Sequence, residues 1–306
     1  MAVSKKNQVL YSMKKSFPYY MIILVPVIYL VIFKYAPMYG IQIAFKDYRV
    51  AKGIMGSPWA GFKYFEMFFN IPSFWSVIIN TTVLSLYSLA AGFPFAILLA
   101  IALNECQSIP FKKSVQMVTY MPYFISTVVL VSMIMQFTDL QSGFISQLVR
   151  ILGGEPQNVM GMSEWFRHLY VWTGIWQGTG YTSIIFLSAL AGISMELREA
   201  AVIDGASKFK RILHIDLPGI MPTIVILLIL NMGYIMSLGF EKVYLMQNSL
   251  NLQTSEVLAT YVYKVGMLNA NYSFATAIGL FNSVINLFLL VFCNSLSKRF
   301  NQSSLW

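Results

Sequence analysis

Residues 83–103 read VLSLYSLAAGFPFAILLAIAL, with no charged side chain anywhere along the run. A helix of that length rises far enough to cross a hydrocarbon layer of about 30 Å, and it has no polar face to turn toward water. Several other apolar runs of comparable length flank it. With 57% hydrophobic and only 11% charged residues, such a chain cannot be a soluble domain with a large core. The reading is an all-α polytopic membrane protein, whose solvent is the bilayer.

The formal net charge of +9 would suggest nucleic acid for a soluble chain. In a membrane protein it reports basic residues gathered at the cytoplasmic face, so no nucleic-acid partner is expected. Cys106 and Cys293 stand far apart with no ligand spacing around them, and no metal site is expected. The first apolar run follows lysines, as in a signal peptide, but no small-residue cleavage pattern follows Phe33. It is read as a retained first helix.

Six spans are expected, over residues 17–35, 75–103, 115–137, 169–193, 219–238 and 274–296, behind a short cytoplasmic tail at 1–16. The stretch 36–73 is crowded with aromatics and broken by Gly53, Gly56, Pro58 and Gly61, which suits an ordered external loop with an interfacial segment near Trp59. Its Lys46, Arg49, Lys52 and Lys63 run against the positive-inside rule. The other loops, with Lys112, Lys113, Lys208, Lys210, Arg211, Lys298 and Arg299 on the inner side, put both termini in the cytoplasm. A short external helix is expected over 144–152 and a long external loop over 240–272. Gly174, Gly178, Gly180 and Gly192 mark the fourth span as one that neighbouring helices approach closely.

These spans carry no ionisable group at mid-depth, where ion-coupled carriers need one; Lys34 and Glu241 sit at span ends. Asn80, Gln177, Asn231 and Asn282 are read first as bonds between helices. No phosphate-binding Gly-Lys-Ser/Thr loop, no Ser/His/Asp set and no His-Glu-x-x-His pattern occurs. No catalytic residue is assigned, and the chain is not read as an enzyme.

The polar exception is residues 199–222, EAAVIDGASKFKRILHIDLPGIMP, between two apolar spans. Ser194 can cap a helix with Glu196 in its first turn, and Gly205 supplies a bend. A second short helix over 208–215 would set Phe209, Ile212 and Leu213 on one face, and Leu217-Pro218 would end it. This amphipathic, basic helix–bend–helix suits a knob for a socket on a cytoplasmic partner, with Ala200 and Ala201 permitting close approach and Glu199 offering a carboxylate. It equally suits an interfacial helix lying against anionic headgroups.

Glu199-Ala200-Ala201, three residues, Gly205, nine residues, Ile215, one residue, Leu217-Pro218 resembles the EAA loop of binding-protein-dependent ABC importer permeases at every fixed position. Asp204, Ala206 and Pro222 extend the likeness toward the carbohydrate-uptake branch. The stretches 33–40, 43–48 and 56–59 are similar to permeases for oligosaccharides and polysaccharides in Gram-positive bacteria.

The resemblance implies a type I ABC importer permease fold over 17–306, with a cytoplasmic coupling loop at 194–218, in the bacterial cell membrane. It implies a heterodimer with a second permease, two cytoplasmic ATPase subunits that carry ATP and Mg, an extracellular solute-binding protein and an oligosaccharide substrate, with no cofactor on this chain. Coupling would fall to Glu199, Ala200, Ala201, Asp204, Gly205, Phe209, Ile212, Leu213, Ile215, Leu217 and Pro218. A sugar path wants aromatic platforms and hydrogen-bonding groups, which Trp172, Trp176, Gln177, Tyr181, Asn231 and Tyr234 supply by type, though helix packing or interfacial anchoring explains each as well. The outer segment 36–73 could dock the binding protein or act as a lid. The competing readings are an ABC permease for a peptide or amino acid, and a stand-alone secondary carrier.

Overall fold

The computed structural model describes residues 15–301 and 304–306, so the expected tail lies almost wholly outside them. The regular elements among the described residues are all helical, with no strand; one isolated bridge joins Lys46 to Trp59. Four helices are long and apolar enough to cross a membrane, Phe17–Phe45, Phe74–Glu105, Lys208–Met232 and Tyr272–Arg299, and two bent pairs raise the number to six if each is one span.

Helix α1 (Phe17–Leu30) buries none of its residues. It does not stop at Tyr35: a π-turn (Val31–Tyr35) and a 3-10 segment (Ala36–Phe45) carry it on, because Ile41, Ile43 and Ala44 extend the apolar pattern and the segment packs on the last helix. The region after it is ordered. Lys46 Nζ donates to the Ile54 carbonyl at 2.7 Å, and Asp47 pairs with Lys63 at 2.8 Å while accepting from the Tyr64 hydroxyl at 2.7 Å. Those two donors hold the Asp47 carboxyl below its usual range. Trp59 stacks on Phe45, and α2 (Lys63–Phe69) follows.

The core is organised along α3 (Phe74–Glu105), which matches the expected second span. Three buried clusters follow one another down its length: around Phe74 and Val77, around Leu84, and around Ala96, Ala100 and Ile101. Helix α7 (Ser163–Ala191) supplies Phe166 and Val171 to the middle cluster and Phe186 and Leu190 to the last, so it runs parallel to α3.

The expected third span is broken. Its first helix, α4 (Ile109–Tyr120), passes through a tight turn at Met121–Phe124, and α5 (Thr127–Phe137) leaves at 97°. Pro122 has no N–H to continue the ladder, and Ser126 starts a new helix by accepting from the Val129 N–H at 3.3 Å. Helix α6 (Phe144–Ile151) stands where a short helix is expected.

Beyond α7 come α8 (Met195–Ile203), bent from it by 73°, and α9 (Lys208–Arg211). Chain direction does not change at Leu217-Pro218, contrary to expectation. A π-turn (Ile212–Asp216) joins α9 to α10 (Leu217–Met232) in one continuous helix. The widened turn accommodates the proline ring and its missing N–H, which an ordinary α-turn would not.

Helix α10 ends at Met232, six residues short of the expected limit at Leu238. The expected loop over 240–272 is instead a packed helical unit of α11 (Phe240–Met246), α12 (Leu252–Ser255), α13 (Leu258–Tyr263) and a π-turn (Lys264–Leu268), with Val243, Met246, Val257 and Leu258 in the core. Short apolar runs interrupted by polar residues read as loop in sequence, but here tertiary packing makes them helical. The chain closes with α14 (Tyr272–Asn301).

Candidate functional site

Two places concentrate polar groups that packing alone does not require. One is a cavity of about 520 Å³ between α3, α7, α10 and α11. Of the expected path residues, Gln177, Asn231 and Tyr234 line it, together with Ser85, Ser88 and Thr179. Trp172, Trp176 and Tyr181 do not. Trp172 meets Phe95 edge to face, Tyr181 stacks on Tyr123 at 3.9 Å, and Trp176 is half exposed on the outer surface, so these rings pack or face outward.

Gln177 also donates to the Ile125 carbonyl at 2.8 Å, satisfying an acceptor freed by the break between α4 and α5. Asn231 returns its amide to the Leu227 carbonyl at 2.7 Å, whereas the buried hydroxyls of Ser85 and Thr179 have no partner among the described residues. A cavity lined by amides, hydroxyls and a tyrosine can exchange hydrogen bonds with a solute that carries them.

The sequence reading missed Lys242. Its position beside Glu241 placed it at a span end, but α11 folds back and brings it to the cavity wall at 9% exposure. The ammonium donates to the Tyr170 carbonyl at 2.8 Å and lies 4.7 Å from the Tyr170 ring centroid. Gly174 makes room for it: a Cβ there would stand 3.3 Å from Lys242 Nζ. Lys242 is thus a buried ionisable group contributed from outside the expected spans.

The second place is the polar interruption. Ser194 caps α8 by accepting from the Glu196 N–H at 3.2 Å. At the other end the Gly205 N–H donates to Val202 O at 3.0 Å and the Ala206 N–H to Ala201 O at 2.8 Å, a Schellman closure that requires φ +74° at Gly205. Ser207 then caps α9.

Glu199, Ala200, Asp204, Gly205, Phe209, Leu213 and Pro218 are exposed, while Ala201, Ile215 and Leu217 are partly covered. Ile212 does not share the open face with Phe209 and Leu213, because the π-turn directs it against the inner core cluster. Glu199 lines a groove with Val202, Ile203, Lys208 and Arg211.

Two ion pairs fix this element, and neither was legible as a pair in sequence. Arg198 bonds Asp216 at 2.6 Å, with the Asp216 side chain 2% exposed. The same guanidinium reaches the Leu190 carbonyl at 3.4 Å and, with the Asn104 amide oriented to accept, Asn104 at 3.0 Å. Arg211 meets Glu105 at 3.6 Å. Arg198 and Arg211 therefore tie α8 and the α9–α10 helix to the ends of α3 and α7. The available signal was charge inside an apolar context, at Asp216 between Ile215 and Leu217.

Residues 92–302 match the model of the family described as binding-protein-dependent transport system inner membrane component. The chain belongs to this family. It is a membrane-spanning permease component, which removes the stand-alone carrier reading.

The chain is 42% identical over 287 residues to the protein LplB of Bacillus subtilis (strain 168), covering 94% of this chain and 90% of that protein. It is also 42% identical over 287 residues to the polygalacturonan/rhamnogalacturonan transport system permease protein YteP of the same organism, covering 94% and 89%. Among solved structures, a bacterial ABC transporter involved in the import of the acidic polysaccharide alginate contains a chain that superposes with a TM-score of 0.88 at 36% identity. That alignment covers 96% of this chain and 99% of the other. A second structure of the alginate transporter, in complex with its alginate pentasaccharide-bound periplasmic protein, contains a chain that superposes as well.

Proposed function

We propose that this chain is one permease subunit of an ATP-driven oligosaccharide importer, paired with a second permease, two cytoplasmic ATPases and an external solute-binding protein. ATP and Mg would be held by the ATPases. The observation that carries the proposal is the α8–Gly205–α9 element: a capped, rigidly closed knob with Phe209, Leu213 and Glu199 open on its outside and Arg198 and Arg211 anchoring its inside. A knob bonded to α3, α7 and α10 converts a push on one surface into movement of three helices together. Alternating access follows when each ATPase carries its knob as it closes on nucleotide.

The carbohydrate part of the proposal is supported by the named relatives and by the cavity's hydroxyl and amide lining. Its test uses the assembled complex in proteoliposomes. Glu199→Arg, and Gly205 replaced by Val, which cannot hold φ +74° without strain, should insert normally yet abolish both uptake and transport-linked ATP hydrolysis. Uptake at the normal rate in either variant would overturn the coupling role.

A further inference from the structure

We propose that Lys242 is a specificity-determining residue of the cavity, and that its ammonium receives a carboxylate of an anionic, uronate-bearing saccharide. This inference rests on the reading of the chain as an oligosaccharide permease. Burying an ammonium is costly unless a counter-charge or several acceptors take it. Among the described residues Lys242 has one carbonyl acceptor and one ring face, and takes part in no ion pair.

No aspartate or glutamate lines the cavity, although hydroxyls, amides and a tyrosine do. A neutral sugar needs only such hydroxyl and amide groups. The cation is surplus to a neutral solute and completes a site for an acidic one, with the Gln177 and Asn231 amides and Tyr234 of the lining left to meet sugar hydroxyls. A purely structural lysine, clamping α11 to α7 through the Tyr170 carbonyl, would act alike on every solute. That difference makes the two roles separable.

The experiment reconstitutes the whole complex with its binding protein and follows uptake of trigalacturonate and of a neutral galactose trisaccharide of equal length. For Lys242→Met, trigalacturonate uptake should fall at least tenfold, while ATPase stimulation by the unloaded binding protein and thermal stability stay at wild-type values. Lys242→Arg, which keeps the charge, should restore most of the uptake. Unchanged trigalacturonate uptake in Lys242→Met would overturn the inference, as would an equal fall for both trisaccharides or failure of arginine to rescue. If the wild-type complex imports neither trisaccharide, the oligosaccharide reading itself falls, an outcome distinct from a wild type that imports them without regard to Lys242.

Discussion

Asp216 shows how one side chain can hold several helices. Its carboxylate is almost wholly removed from solvent and has a guanidinium at 2.6 Å, and that guanidinium also reaches the ends of α3 and α7. Removing one member of such a pair leaves the other charged and buried, at a cost of roughly 3–5 kcal/mol, whereas removing both costs less than the sum. Asp216→Ala and Arg198→Ala should each lower the thermal midpoint of the purified complex markedly. The double variant should be less damaged than the two single effects added together. Strict additivity in that cycle would show that the contact carries no coupling. Glu199, one residue along from Arg198, lies on the open side and should leave the midpoint unmoved when changed to Gln.

Among the helices, the tightest approach occurs where α7 crosses α4. A Cβ built on Gly180 would fall onto the Thr119 carbonyl, a backbone atom that cannot swing aside, whereas one on Gly178 meets nothing within 4 Å. Gly180→Ala should therefore destabilise the protein by about 1–3 kcal/mol through overpacking. Gly178→Ala should be neutral or gain up to about 1 kcal/mol from helix propensity. Melting of the two variants side by side checks this, and similar midpoints would rule out the crossing as the constraint. The small residues of this span were legible in sequence, but which of them is crossed depends on the partner helix. Long apolar helices such as α3 were legible because lipid and helix geometry fix their length. The break at Pro122 and the continuity through Pro218 were not: the same residue type ends one helix and is absorbed by a π-turn in the other, and neighbours such as Gln177 decide the outcome.

For the whole molecule, the α8–Gly205–α9 element was largely legible because its caps, glycine bend and spacing are local, whereas the cavity was not. Three of its expected residues line it, three do not, and Lys242 arrives from a segment read as loop, since the cavity is assembled from helices distant in sequence. The number of crossings is likewise a property of the assembly. If α4 and α5 form one bent span, the segment carrying α6 lies outside; if the 97° bend is a re-entrant turn, that segment shares the cytoplasmic side with residue 107. In a background with Cys106→Ser and Cys293→Ser, exposed Glu155 and Gln107 are each replaced by cysteine. Glu155→Cys should react with a membrane-impermeant maleimide in intact cells, and Gln107→Cys only after permeabilisation. Protection of both in intact cells would make α4–α5 a re-entrant pair and reduce the spans below six. With six crossings, α8 and α9 face the same compartment as residue 107, the arrangement the proposed coupling to ATPases requires.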